Sequence, residues 1–135
     1  MKTKHHLEAS DVQRILAAAT TEAQTNAWKV SIAVVDDGGH LLGFTRLDGA
    51  APLSSAISVA KARTSALGRR ETAVYEEMIN GGRTSFLSAP LIEGMLEGGV
   101  PVLYLGEVVA AVGVSGVKSS EDAQIALAGI AALQP

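Results

Sequence analysis

The spacing of apolar residues along the chain predicts two helices in its first half. From residue 11 to residue 25, apolar side chains recur at helical intervals and form one stripe. That stripe consists of Val12, Ile15, Leu16, Ala19 and Ala23. Ser10 and Gln13 have capping-box spacing, which predicts the start of this helix. A second stripe follows Pro52, which suits a first helical turn, and Gly68 is placed to end that helix.

Strand patterns occur in two pairs. Residues 30–35 and 41–47 are apolar stretches on either side of the acidic, glycine-rich link at residues 36–40, which predicts an antiparallel hairpin. Residues 102–105 and 108–114 predict a second hairpin across Gly106-Glu107. A last helix is expected after Ser119 or Ser120, either of which suits the N-cap.

The element order predicts the fold class. Residues 71–97 form the most irregular part of the pattern, with one short helix expected at residues 73–79. The order is therefore helix, hairpin, helix, irregular segment, hairpin, helix. Hairpins imply an antiparallel sheet, and strands that are apolar on both sides require helices on both faces. The sequence predicts an α/β (α+β) protein of this type.

Composition narrows the classes of partner. The chain has 135 residues, the size of one domain, so residues 1–135 are expected to form a single domain. Its formal net charge is −3 and its longest basic run is Arg69-Arg70, so we expect no nucleic-acid partner. The absence of cysteine excludes disulfides and thiolate-bound metals. Neither a signal peptide nor a membrane span is predicted, which favours a cytoplasmic protein without a membrane partner.

Four blocks of sequence resemble those of a known family. They read VVDDGGHLL with RLDGA (residues 34–42 and 46–50), KA (61–62), GGVP (98–101), and GVSG followed by ED (113–116 and 121–122). In order and spacing they resemble the GlcG/HbpS-like family, also called the haem-degrading domain family, over residues 7–130. The sequence departs from the family pattern at Leu47, Ala110 and Val117, and residues 69–88 match least well.

The resemblance implies a fold and two classes of function. It implies a profilin-like domain with an antiparallel sheet of about five strands and helices on both faces, assembled into homo-oligomers. It also implies a protein that binds an anionic small molecule, either a carboxylate or haem, with no other cofactor and no bound metal ion. The alternative is an enzyme on the same scaffold, a cofactor-independent lyase or isomerase acting on a small aromatic or hydroxy acid.

Three cationic residues are candidates for binding such an acid. Arg46 ends a predicted strand, Lys61 lies in an apolar helical stretch, and Arg83 follows two glycines. The planar guanidinium group of arginine can meet both oxygens of a carboxylate. The sequence also favours a structural interpretation, in which Arg46 pairs with Asp48 and Lys61 with a neighbouring glutamate. In the enzyme alternative, Lys61 or Tyr104 would be catalytic.

Two further features have both a functional and a structural interpretation. The bend at Ser115 and Gly116 precedes a helix, where free backbone N–H groups and the helix dipole favour an anion. His40 could ligate haem iron or act as a base, but the same position suits an exposed turn residue. His5 and His6 precede the first helix, where one of them could reach a haem or both could serve packing alone.

Overall fold

The first helix begins earlier than predicted. The computed structural model describes residues 1–133, and in it α1 spans Ala9–Thr25. Glu8, not Ser10, is the N-cap, because the Glu8 backbone N–H donates to Asp11 Oδ2 at 2.8 Å. The predicted capping box of Ser10 and Gln13 is therefore wrong. The hydrogen bond from Glu8 and the contact with Arg14 lower the pKa of Asp11, which suits a carboxylate at a helix N-terminus.

The remaining elements follow the predicted order. They are β1 (Ser31–Asp36), β2 (Leu41–Arg46), α2 (Leu53–Gly68), α3 (Thr72–Asn80), a 3-10 helix (Thr84–Ser88), β3 (Gly99–Tyr104), β4 (Glu107–Ser115) and α4 (Ser119–Ala131). Helix α3 confirms the short helix expected in the irregular segment. Within residues 1–133, no helix combines the length and the apolar character needed to cross a membrane.

The sheet has four antiparallel strands in the order β2-β1-β4-β3. In the centre, β1 and β4 pair from Ser31 opposite Ser115 to Asp36 opposite Ala110. The predicted α+β class is confirmed, with four strands where the resemblance implied about five. These four strands are those of the two predicted hairpins, and the segment between α2 and β3 forms α3 and the 3-10 helix.

Helices cover both faces of the sheet and pack on different kinds of residue. On one face, α1 and α4 pack on large aliphatic side chains of the strands, including Ile32, Val34 and Val112. On the other face, α2 lies on small residues. A Cβ at Gly113 would be only 2.1 Å from the backbone oxygen of Ser58, so the α2 backbone touches β4 directly. Phe44 on the edge strand β2 stays exposed.

Candidate functional site

The corner between β1 and β2 is a turn held by Asp36. Its Oδ1 accepts hydrogen bonds from the backbone N–H groups of Gly38 and His40, both at 2.9 Å, and lies 3.1 Å from Nδ1 of His40. Burial raises the pKa of Asp36, but these hydrogen bonds outweigh it and the pKa is lowered overall. The His40 side chain is 81% exposed. The geometry therefore matches the structural interpretation of this corner.

Lys61 lies in the protein interior with a carboxylate partner. Its Nζ donates to the Val114 backbone oxygen at 2.9 Å and to Asp122 Oδ2 at 3.1 Å. Burial raises the pKa of Asp122, although the nearby Lys61 ammonium group acts to lower it. A Cβ at Gly98 would be 2.8 Å from the Lys61 Nζ, so the space around the ammonium group is filled. The structural interpretation as an ion pair applies to Lys61, with Asp122 in place of a neighbouring glutamate.

Backbone N–H groups at the bend between β4 and α4 already bind carboxylates of the same chain. Ser115 is buried and Gly116 adopts a φ of 144°. Beyond them, the backbone N–H groups of Val117 and Lys118 donate to side-chain carboxylates in the first turn of α4, at 3.2 and 3.3 Å. These two amide groups of the bend therefore already have acceptors within the chain. Helix α4 begins at Ser119 with Lys118 as its N-cap, so the predicted cap at Ser119 or Ser120 is wrong.

Arg46 and Arg83 are both exposed but lie in different settings. Arg46 ends β2 and lines a surface pocket together with Trp28. The Arg83 guanidinium carbon lies 5.8 Å from the centre of the Phe86 ring. Within residues 1–133, neither arginine forms an ion pair, so Arg46 is not paired with Asp48. The structure does not bring Arg46, Lys61 and Arg83 together around one of the pockets described here.

A pocket with mixed chemistry lies between the N-terminal segment, the end of β3 and the end of α4. We call it the His5–Tyr104 pocket, and its volume is about 370 Å³. Its polar lining residues are His5, His6, Asp11 and Tyr104. Its aliphatic lining includes Val102, Val109, Ile130 and Leu133. The rings of His5 and Tyr104 meet edge to face, with centroids 4.6 Å apart and an interplanar angle of 60°.

The N-terminal segment beside this pocket makes several contacts with the rest of the chain. Lys2 pairs with Glu107 in the β3–β4 turn. Lys4 Nζ lies 3.0 Å from Asp37 Oδ2 in the β1–β2 turn. Leu7 packs against the core. Sequence reasoning gave His5 and His6 no defined place, since a histidine pair before a helix has no informative spacing, whereas Tyr104 was already a candidate.

By its fold and this pocket, the chain is a small α+β protein with a cavity at the end of its sheet that is large enough for a ligand. The family model described as "Haem degrading protein HbpS-like" matches residues 7–131. The chain belongs to this HbpS-like family, which confirms the family that the sequence blocks predicted.

Individual relatives agree with this family. Protein GlcG of Escherichia coli (strain K12) is 58% identical over 115 residues, covering 85% of each chain. The crystal structure of a double mutant of HbpS from Streptomyces reticuli has a TM-score of 0.89 and 32% identity, covering 100% of this chain and 92% of that chain. The structure of a PduOC–haem complex has a TM-score of 0.84 and 25% identity, covering 96% of both chains.

Proposed function

We propose that this protein is a haem-binding protein and that the His5–Tyr104 pocket is its haem site. One observation carries the proposal: two imidazole side chains line a pocket whose other walls are largely aliphatic. A neutral imidazole nitrogen is a common axial ligand of haem iron. Aliphatic side chains such as Val102 and Ile130 would shield the faces of the macrocycle from water.

The size and position of the pocket fit a partly inserted haem. Its volume of about 370 Å³ lies near the lower end of the range of roughly 300–1,000 Å³ for ligand sites. One edge of the macrocycle would therefore stay outside, which suits the charged propionates. His5 or His6 would hold the iron, and Tyr104 would hold the His5 ring through their edge contact. When bound, haem would supply a redox-active iron at this site.

His40 has a less suitable environment for this role. It lines neither of the two pockets described here, and its ring nitrogen Nδ1 contacts Asp36. The comparisons support haem binding in general: the family's description names haem degradation, and the structure of PduOC was solved with haem. The His5–Tyr104 pocket is therefore the site to which we assign the haem.

A haem titration tests the proposal directly. Adding haem to the apoprotein is expected to give a shifted Soret band that saturates at one haem per chain. Replacing both histidines (His5→Ala with His6→Ala) is expected to abolish the shift, while His40→Ala serves as the matched control and leaves it unchanged. An unshifted spectrum at micromolar haem would refute the proposal. Loss of binding in His40→Ala alone would instead place the iron at the β1–β2 corner.

The lyase alternative depends on Tyr104 more than on Lys61. A reaction through Lys61 would first have to break its two buried bonds to Val114 and Asp122. Tyr104 is half exposed and lines the His5–Tyr104 pocket, so its hydroxyl can reach a bound acid. Turnover of a small aromatic or hydroxy acid, lost in Tyr104→Phe, would support this alternative, and a Tyr104→Phe variant with unchanged turnover would contradict it.

We also infer that the protein forms homo-oligomers through its exposed sheet edges. The edge strand β2 exposes Leu41 and Phe44, and the opposite edge exposes Leu103 and, just beyond it, Leu105. Edge strands with unpaired backbone groups and exposed apolar side chains favour association. Light scattering is expected to give a mass above 13.9 kDa, and Phe44→Lys is expected to lower it. A monomeric mass for the unmodified protein would contradict the inference.

A further inference from the structure

A second pocket lies where the end of α1 meets the end of β2. We call it the Trp28 pocket, and its volume is about 370 Å³. Residues that line it include Ala27, Trp28, Lys29, Arg46, Leu47 and Asp48. These residues combine an indole ring and aliphatic groups with two cations and one carboxylate. The Trp28 pocket has no lining residue in common with the His5–Tyr104 pocket.

The indole ring of Trp28 is held against the body of the protein. Ala27 has a φ of 57°, in the left-handed region, which turns the chain back at the end of α1. The Trp28 backbone N–H then donates to the Ala23 oxygen at 2.8 Å. The Trp28 side chain packs on the main hydrophobic core and is only partly exposed. The pocket therefore has an aromatic wall in a fixed position.

The side chain of Lys29 lies against the backbone of Gly49. Gly49 has a φ of 84°, and a Cβ there would be 2.8 Å from Cδ and 3.3 Å from Nζ of Lys29. The aliphatic part of Lys29 therefore crosses the Gly49 backbone just beyond the end of β2, where Arg46 lies. The two cations that line the pocket therefore come from parts of the chain that are distant in sequence.

These two cations have no carboxylate partner in the part of the chain that the structure describes. Neither Lys29 nor Arg46 forms an ion pair within residues 1–133, although Asp48 lines the same pocket. The C-terminal end of α1 does not need them as a cap. Three of its last four carbonyl groups, at residues 22–24, already accept hydrogen bonds from the backbone N–H groups of residues 26–28. Two positive charges and one negative charge leave the pocket with an excess positive charge.

We propose that the Trp28 pocket binds a small aromatic carboxylate. The planar guanidinium group of Arg46 can donate to both carboxylate oxygens, and the Lys29 ammonium group adds a second positive charge. The indole ring of Trp28 offers a face or an edge to the aromatic ring of the ligand. A second anionic site of this kind is independent of haem binding, because none of its residues lines the His5–Tyr104 pocket.

Trp28 is the single tryptophan of the chain, so it reports on its own pocket. The test titrates the haem-free protein with benzoate up to about 10 mM, the range of weak ligands, and follows the indole N–H signal of Trp28 by NMR. A saturable shift of this signal is expected. Benzamide has the same ring without the charge and is expected to bind at least about tenfold more weakly, because charge-assisted hydrogen bonds are lost.

Matched variants separate this pocket from other cationic surfaces. Arg46→Gln and Lys29→Gln are each expected to raise the Kd for benzoate by about tenfold. Arg63→Gln removes an exposed positive charge on α2 and is expected to leave the Kd unchanged. The His5→Ala variant is also expected to bind benzoate normally. An indole signal that does not saturate, equal affinity for benzamide, an unchanged Kd in Arg46→Gln, or loss of binding in His5→Ala would each overturn the proposal.

Discussion

Lys61 Nζ and Asp122 Oδ2 lie 3.1 Å apart although the two residues are 61 positions apart in sequence. Both side chains are 3% exposed. Two charges removed from water are tolerated only when their remaining hydrogen-bonding groups are satisfied. Here the Val114 oxygen accepts from the ammonium group and the Val117 N–H donates to the carboxylate. The pair thus joins α2, the end of β4 and the start of α4.

Removing one partner of this pair is expected to destabilise the protein strongly. Lys61→Met leaves the Asp122 carboxylate buried without its cation, which lowers the free energy of unfolding by about 3–5 kcal/mol. The double variant with Lys61→Met and Asp122→Leu removes both charges and should recover most of that loss. Urea unfolding measures all three proteins.

An exposed ion pair provides the control for this experiment. Arg14 contacts Asp11 at the surface of α1, and Arg14→Ala is expected to lower the free energy of unfolding by less than about 1 kcal/mol. Equal losses in Lys61→Met and Arg14→Ala would show that the Lys61–Asp122 pair is not buried as described.

Asp122 and Asp36 are expected to contribute to the pH dependence of stability with opposite signs. Burial raises the pKa of Asp122 above its ordinary value of 3.8. At pH values between the pKa of Asp122 in the unfolded protein and its raised pKa in the folded protein, the folded protein binds more protons. The contribution of Asp122 to the free energy of unfolding therefore falls as the pH rises through this window. The stability difference between the unmodified protein and Asp122→Asn should therefore decrease from pH 3.8 upward.

Asp36 is the comparison for Asp122, because its pKa is lowered where that of Asp122 is raised. Its stabilising contribution is present above pH 3.8 and is lost as the pH falls below that value. The stability difference between the unmodified protein and Asp36→Asn should therefore decrease as the pH falls. Urea unfolding across about pH 3–6 measures both differences. Parallel pH slopes for the two variants would contradict the assigned directions.

Local sequence patterns predicted the elements well because they depend on near neighbours. The stripe from Val12 to Ala23 is buried where helical spacing placed it, apart from the half-buried Leu16. The turn at residues 36–40 also formed as expected, since Asp36 caps the backbone within its own loop. The predicted start of α1 failed because Glu8 competes with Ser10 for the same role.

The candidate site was less predictable because its residues meet only through the fold. Lys61 suggested an ion pair, but Asp122 becomes its partner only after the last helix packs on β4 from the face opposite α2. His5 has no helical or strand spacing, and its contact with Tyr104 requires the N-terminal segment to cross the β3–β4 hairpin. Periodicity carries no information on contacts between segments so far apart in sequence.

Because α2 packs closely on the sheet, substitution of Gly113 is expected to cause a large loss of stability. A Cβ there would lie 2.1 Å from the Ser58 oxygen and 2.5 Å from the Ala62 nitrogen, both of them backbone atoms that cannot rotate away. Gly113→Ala is therefore expected to lower the free energy of unfolding by about 3 kcal/mol, the upper part of the usual overpacking range. Thermal and urea unfolding measure this loss.

A second variant, Gly106→Ala, serves as the control, because it loses a glycine at a position where the added Cβ meets no other atom. Gly106 has a φ of 80° in the β3–β4 turn and no atom within 4 Å of a Cβ placed there. Gly106→Ala is expected to show only left-handed backbone strain, about 1 kcal/mol. If the two variants lose equal stability, α2 does not rest on β4 through Gly113.

The edge contact between His5 and Tyr104 predicts how substitutions at Tyr104 affect haem binding. Tyr104→Ala removes the ring that holds His5, and an aromatic pair of this geometry contributes about 0.5–1.5 kcal/mol. The haem affinity is therefore expected to fall several-fold, at about 1.4 kcal/mol for each factor of ten. Tyr104→Phe keeps the ring and should bind haem within about twofold of the unmodified protein. Soret titrations of the three proteins measure the affinities. If Tyr104→Phe binds as weakly as Tyr104→Ala, the hydroxyl group, and not the ring contact with His5, is what the haem site requires.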